Sequence, residues 1–542
     1  MATKKNSLVK NASILMIASI ISRIIGLLYR RPLGEILGSV GLGYYGYASN
    51  LYSILLLISS YSIPMAVSKT VSERLAKKQY KNAHRVFLGA LLYAVIVGGI
   101  TALIAFFGGA LLLPANQQNA VPALRVLAPT IFLSAILGVL RGYFQAHKMM
   151  TPTSVSQIAE QIINAIVSIV AAMLLVSSFG GGTESGQAIY GAMGGTMGTA
   201  AGVITGLLFM LFVYSLNRKT LKRRRERDRH AGEESYQEVM KIIVLMVTPI
   251  ILTTFINNAG MYLDSYIYSS VQGMHGIAAD SISAAYGEFS NYYIPMVNIP
   301  TALAAASVSA MMPEVAGLFA LHDMENANRQ INRTTRLTMF ICIPSTVGLT
   351  LLAKPIMGVL FPAASDLAAN LLMFGALYVV FTAISTISAG VLQSIGKQRV
   401  AMINAGIALV LNMVILFVVL MLVPALDIYA VMLANILFTV IYMILNGFAL
   451  RKYLGYREEL KKNYLEPLLA SLIMGAAAAG VYYLLFWLTR RPSISVIIAI
   501  LLAVIVYLIA FVVCSHTSEE EMRHFPMGGK LVKVLRLVKV YR

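Results

Sequence analysis

A handful of charged side chains fall inside otherwise apolar stretches, where each costs roughly 2.5–3.5 kcal/mol on insertion scales. Arg23 stands deep in the stretch 8–30, too far in to snorkel easily, and Arg30 lies seven residues on, on the same helix face. Paired guanidiniums in a wet cavity suit an anionic head group, because the planar fork meets phosphate oxygens two at a time. Arg31 and Arg125 complete the candidate substrate-binding set; Arg31 reads as a helix-end anchor, and Arg125 equally as an anchor or a ligand. Asp264 lies deep in the stretch 239–270, close to Asn257 and Asn258. A carboxylate so placed either binds Na⁺ or a proton, or is satisfied by internal hydrogen bonds. Glu160 and Glu288 are further candidates of that kind.

Enzymatic constellations are missing. The chain contains no G-x-x-x-x-G-K-[ST] loop, no H-E-x-x-H and no G-x-S-x-G, so no nucleotide engine or hydrolase site is expected. Cys342 and Cys514 sit in apolar runs without metal-ligand spacing and read as inert thiols. The seven histidines fall in expected loops or near the ends of apolar stretches. No cofactor is implied; a coupling Na⁺ or H⁺ is the one small ion the residues suggest.

The elements that must position these charges follow from composition. Of 542 residues, 58% are apolar and 12% charged, and the mean hydropathy is +0.75. Lipid cannot satisfy backbone amides, so the spans are helices or a closed barrel, and continuous apolar runs such as 494–513 exclude the barrel's alternation. Spans are predicted at 8–30, 44–68, 86–113, 121–146, 153–178, 187–216, 239–270, 282–312, 331–358, 368–393, 400–423, 428–450, 464–489 and 492–515. The basic N-terminus before an apolar stretch resembles a signal peptide, but Arg23 and the spans that follow make it an uncleaved first helix.

With the N-terminus in the cytoplasm, 36 of the 43 Lys+Arg fall in cytoplasmic segments, counting Arg141 and Lys148 at the inner end of span four among them. That bias accounts for the +20 charge without nucleic acid and places both termini on the cytoplasmic side of what is expected to be a bacterial cytoplasmic membrane. Arg218–Arg227 forms a basic loop, and the tail spaces Lys530, Lys533, Arg536 and Lys539 as either an interfacial helix on anionic lipid or a frayed end.

The two halves share a pattern. Gly142-x-x-Gln145 ends span four and Gly390-x-x-Gln393 ends span ten, offset by 248 residues, and the same offset carries Asn164 onto Asn412. Ile63-Pro64 corresponds to Ile299-Pro300. The expected architecture is all-α and polytopic, with about fourteen transmembrane helices. These form an N-lobe (1–217), a basic cytoplasmic linker (218–238), a C-lobe (239–450) related to the first as a parallel six-helix repeat, two further spans (451–515) and a basic tail (516–542). Pro64, Pro249, Pro295, Pro300 and Pro313 predict bent helices suited to alternating access.

Ser22-Arg23-Ile24-Ile25-Gly26, Gly142-x-x-Gln145 and Gly390-x-x-Gln393-x-x-Gly396-Lys397 resemble motifs of the lipid II flippases and their relatives in the multidrug/oligosaccharidyl-lipid/polysaccharide exporter superfamily. Ser59-Ser60-Tyr61-Ser62-Ile63-Pro64 and Ala66-Val67-Ser68-Lys69 resemble its polysaccharide-biosynthesis and stage V sporulation protein B branch. The resemblance covers essentially the whole chain. It implies two lobes around a cationic cavity, with Arg23 at a cavity position and Arg30 one place from another, and a groove for a lipid tail formed with the last two spans. It also implies an ion site of Asp264 and Asn412, with Asn435 near the remaining position. The cavity arginines expected in spans two and eight are replaced here by Ser, Tyr, Pro and Asn.

The sequence therefore reads as a flippase for an undecaprenyl-pyrophosphate-linked cell-wall precursor, with lipid II the expected substrate and cell-wall synthesis proteins as possible partners. A flippase for another lipid-linked polysaccharide unit and a multidrug cation antiporter are the alternatives, the last opposed by the basic cavity charges.

Overall fold

The computed structural model describes residues 21–61, 63–228, 232 and 234–515, with 519, 529, 532 and 536 of the tail. The described residues form helices and no strands. Packing divides the chain into two compact units, Met1–Gly287 and Glu288–Arg542.

The first unit contains α1 (21–28), α2 (Arg30–Leu56), α3 (Ile63–Ala76), α4 (Tyr80–Leu112), α5 (Val121–Ala146), α6 (Met150–Phe179), α7 (Glu184–Glu226), α8 (Tyr236–Met274) and α9 (Ala279–Glu288, whose last residue opens the second unit). The second contains α10 (Ile294–Ala320), α11 (Met324–Leu351), α12 (Ala353–Leu360), α13 (Asp366–Gly375), α14 (Tyr378–Ser394), α15 (Gln398–Leu422), α16 (Ile428–Leu454), α17 (Glu466–Thr489) and α18 (Pro492–Ser515).

Every predicted span after the first overlies one of these helices; the first, 8–30, lies largely outside the described residues. Among the described residues, ten helices are long and apolar enough to cross a membrane, or twelve if two bent pairs each count as one span. The number fourteen is therefore not reached on that criterion. The pairs are α11–α12, bent by 82°, and α13–α14, bent by 46°. The first break precedes Pro355, which has no N–H to return to the Leu351 carbonyl. The two breaks fall at Leu352 and at Ala376-Leu377, away from the five prolines expected to bend helices.

Proline instead coincides with widened turns. The three π turns, Leu57–Tyr61, Phe289–Tyr293 and Lys461–Leu465, stand just ahead of Pro64, Pro295 and Pro467. A proline removes one backbone donor and crowds the preceding turn, and a π turn absorbs the mismatch without ending the helix. At Gly38 the chain turns with φ +65° and ψ 174°, dividing α2 into two helices at a kink.

The core of the first unit joins α3, α4, α5, α7 and α8 through Val67, Phe87, Leu140, Met210, Val239 and Ile243. The boundary by packing lies beyond the basic linker because α8 packs along α4. Asn82 ties the linker down, donating to the Gly232 carbonyl at 3.0 Å and accepting from the Glu234 amide at 3.0 Å. Ser235 and Glu238 then start α8 with a reciprocal capping box. In the second unit Asn332 does similar work, accepting from Tyr456, the Glu459 amide and Asn463 and so holding the α16–α17 connection to α11. Burial pushes the Tyr456 phenol well above its ordinary pKa and keeps it a donor.

The two glycines of the repeated G-x-x-Q motif mark tight crossings. A Cβ on Gly142 would lie 2.6 Å from the Pro64 carbonyl, and one on Gly390 would lie 2.2 Å from Val308 Cγ1, on the helix that carries Pro300. Small residues at such points let helices approach in lipid, where packing drives association. Gly142→Ala is expected to lower the melting temperature of the purified protein by several degrees, an overpacking cost of about 1–3 kcal/mol. Gly406→Ala, which meets nothing within 4 Å, should leave it unchanged. Equal melting temperatures would contradict the α3–α5 crossing.

Candidate functional site

The interior of the first unit is polar along one face of α6. Ser156, Glu160, Asn164 and Ser168 recur every four residues and so align in a stripe. Ser168 donates to the Gly195 carbonyl at 2.7 Å and lies 3.0 Å from Asn164 Oδ1. Glu160 receives Arg141 of α5 at 2.6 Å, and the same guanidinium donates through Nε to Ser156 at 3.0 Å. Gly206 of α7 closes over the pair, since its Cβ would come within 3.3 Å of Glu160 Oε2. Farther along the stripe, Gly26 of α1 faces Gln161, and Tyr29 stands beside Asn164 with its hydroxyl 3.4 Å from that of Tyr45.

The four candidate arginines separate in this frame. Arg30 is half-buried beside Tyr29, whereas Arg23 is exposed on α1. Arg31 is exposed and lies 3.5 Å from Glu35, one turn on. Arg125 is exposed with its guanidinium 5.9 Å from the centre of the Phe106 ring. Arg30 is thus the least exposed of the four, and the arginine that meets the polar stripe is Arg141, which sequence reading counted among the cytoplasmic cations. The short 147–149 connection makes α5 and α6 antiparallel, which sets Arg141 opposite Ser156 and one turn from Glu160. That hairpin geometry was the available signal.

At the basic end of the same unit, the motif residues Ser68, Lys69 and Gln145 come together with Pro64, Met65 and Ser72 around a hollow of about 510 Å³. At the opposite end, the 115–120 turn holds α8 and α9. Asn116 donates to the Ser269 carbonyl and accepts from its hydroxyl, both at 2.8 Å. Gln117 accepts from Ser283, and Asn119 donates to Tyr44, which donates in turn to Asp280 at 2.7 Å. Nothing in the sequence singled out this amide cluster.

Asp264 is 1% exposed on α8, within electrostatic reach of Tyr286, whose ring stacks on Tyr47 at 4.5 Å. Asn412, also 1% exposed, and Asn435, which donates to the Val431 carbonyl of its own helix, belong to the second unit. Among the described residues no group of three His, Cys, Asp or Glu could hold a metal. Glu288 caps α13, accepting from the Ser365 amide and hydroxyl and the Ala368 amide at 2.9–3.2 Å.

The second unit carries an apolar groove of about 390 Å³ between α10, α11, α17 and α18, lined by residues including Pro300, Phe340, Pro344, Met474, Val504 and Tyr507. Both α17 and α18 contribute to its lining.

Among the described residues ten to twelve helical segments are long and apolar enough to cross a membrane, and family comparison supplies the role. The polysaccharide biosynthesis protein family matches residues 8–319, and MatE matches 249–418. The chain belongs to that polysaccharide biosynthesis family and is a multi-pass flippase or transporter of the exporter superfamily. It is similar to the lipid II flippase MurJ of Bacillus subtilis (strain 168), 26% identical over 93% of this chain and 94% of that one. Stage V sporulation protein B of the same organism is 23% identical over 97% and 99%. By fold it resembles a lipid II flippase MurJ in an inward closed conformation (TM-score 0.65, 18% identity, 92% and 98% covered). It also resembles an inward-facing multidrug resistance MATE family transporter (0.62, 14%, 81% and 98%).

The Arg141–Glu160 pair has side chains 15% and 28% exposed, so each partner is costly to leave alone. A double-mutant cycle with Arg141→Ala and Glu160→Ala should give a coupling on the order of 1–3 kcal/mol in thermal or denaturant unfolding. Additive losses would show that the two charges do not meet.

Proposed function

We propose that this protein flips an undecaprenyl-pyrophosphate-linked cell-wall precursor, lipid II or a close relative, from the inner to the outer leaflet of a bacterial cytoplasmic membrane, with both termini cytoplasmic. The observation that carries the reading is the apolar groove to which α17 and α18 contribute, helices outside the six-helix repeat expected from the sequence. A small water-soluble drug has no use for such a slot, whereas a long isoprenoid tail must stay in an apolar path while its head group crosses. The half-buried Arg30, next to Tyr29 of the Tyr29–Tyr45 pair, is suited to pyrophosphate. The similarity to MurJ along nearly the whole chain supports the same substrate class.

Coupling is assigned to Asp264, where Na⁺ or H⁺ would neutralise a buried carboxylate and favour one arrangement over the other.

The test is reconstitution in vesicles with labelled lipid II and with undecaprenyl phosphate as comparison. Gly348 lines the groove, and its nearest neighbour beyond its own helix is 4.0 Å from an added Cβ, so Gly348→Leu fills the slot without a backbone clash. That variant and Arg30→Ala are each expected to slow lipid II movement at least tenfold while the protein stays folded. Asp264→Asn should move lipid II but lose the response to an imposed Na⁺ or proton gradient. A wild-type protein that leaves lipid II in its original leaflet, or a filled groove that transports at full rate, would overturn the assignment.

A further inference from the structure

A second concave site lies at the basic end of the first unit, on other residues than the polar stripe. It has a volume of about 440 Å³ and is formed by the start of α4, the extension of α7 and the start of α8. Lys81, Arg85, Lys222 and Arg225 line it together with His84, against one lining carboxylate, Glu226, which lies 3.8 Å from Lys222. The neighbouring Glu234 is already taken up by the Arg74 fork, at 2.9 and 3.1 Å, and the Asp228 carboxylate accepts the Lys81 amide at 2.8 Å.

Four permanent cations around a hollow repel one another, and the protein spends fixed structure to hold them there. Arg85 is oriented by its bond to the Glu234 carbonyl and lies 5.6 Å over the Tyr236 ring. The Asn82 clamp holds the linker against α4 beside them. The fourth side of the hollow is apolar. Leu88 lines it and is 37% exposed, and Leu92, Val95 and Ile96 continue exposed along α4. A charged cradle leading onto an exposed apolar helix face matches an amphiphile with a phosphate head and acyl chains.

We propose that this pocket binds a phosphate-bearing anion, supplied by an acidic phospholipid whose chains lie along α4. Guanidinium and ammonium donors would take the phosphate oxygens, and Leu88 and Tyr236 would meet the glycerol and upper acyl region. The site would fasten the linker and α8 to the membrane surface at that end of the protein. It does not depend on which sugar lipid is carried.

The test uses the full chain purified in uncharged detergent, with melting temperature read as phosphatidylglycerol, phosphatidylcholine or inorganic phosphate is added. Phosphatidylglycerol is expected to raise the melting temperature by several degrees more than phosphatidylcholine at equal mole fraction. Lys222→Ala with Arg225→Ala should remove most of that increment. Arg218→Ala with Arg223→Ala removes the same charge from α7 outside the pocket and should keep it. Equal loss in both double variants, or loss in neither, would overturn the pocket in favour of diffuse surface charge or of binding elsewhere. Inorganic phosphate is expected to have less than a tenth of the lipid's effect at equal concentration. A matching effect would overturn the lipid source and assign the pocket to free phosphate.

Discussion

The structure depends on one constraint: hydrocarbon offers a polar group no hydrogen-bond partner, so whatever is polar inside a span must be satisfied by the protein or face an enclosed wet space. The α6 stripe obeys this residue by residue. Ser156 and Glu160 meet Arg141, Ser168 meets Gly195, and Asn164 faces the Tyr29–Tyr45 pair. The same rule governs Glu288, whose carboxylate is accommodated by the opening amides of α13. Under the proposed function a bound pyrophosphate head group would itself supply a partner where the protein leaves one out.

Helix packing follows from the same setting. Lipid tails are as apolar as leucine, so helices are held by close fit, and Gly142 and Gly390 occur where α5 and α14 each press on a neighbour that carries a proline, Pro64 on α3 and Pro300 on α10. Where proline would break such a helix, a π turn takes up the strain ahead of Pro64, Pro295 and Pro467. The polar clips, Asn82 and Asn332 on the connections and Asn116, Gln117 and Asn119 at the opposite end of the first unit, fix segments that apolar packing alone would leave in several registers.

Much of the helical layout was legible because a span announces itself by length and apolarity, and every predicted span after the first overlies a helix. Bends were less legible. The break at Leu352 has its proline three residues downstream, and that at Ala376-Leu377 has none beside it, while the prolines named as hinges lie inside or just before continuous helices. Among the charges, Arg31 and Arg125 show why position along a span is insufficient: both lie near span ends, where Glu35 and Phe106 occupy them. Arg141 was missed for the opposite reason. It was counted with a loop because it lies near a basic end, although its partner Glu160 stands across a helical hairpin. Pairing between helices is a property of three-dimensional register, and a single sequence carries that only where a short turn fixes it.

The central claim is that the cargo is a lipid-linked sugar pyrophosphate, and its most direct test lies in the cell that makes the protein. Depleting the protein and measuring which undecaprenyl-linked intermediates accumulate, and in which leaflet, addresses cargo and direction together. The account predicts accumulation of a complete lipid-linked precursor confined to the inner leaflet, relieved by the wild-type protein and not by Arg30→Ala. Unchanged precursor pools and leaflet distribution, with heightened sensitivity to cationic drugs instead, would contradict it.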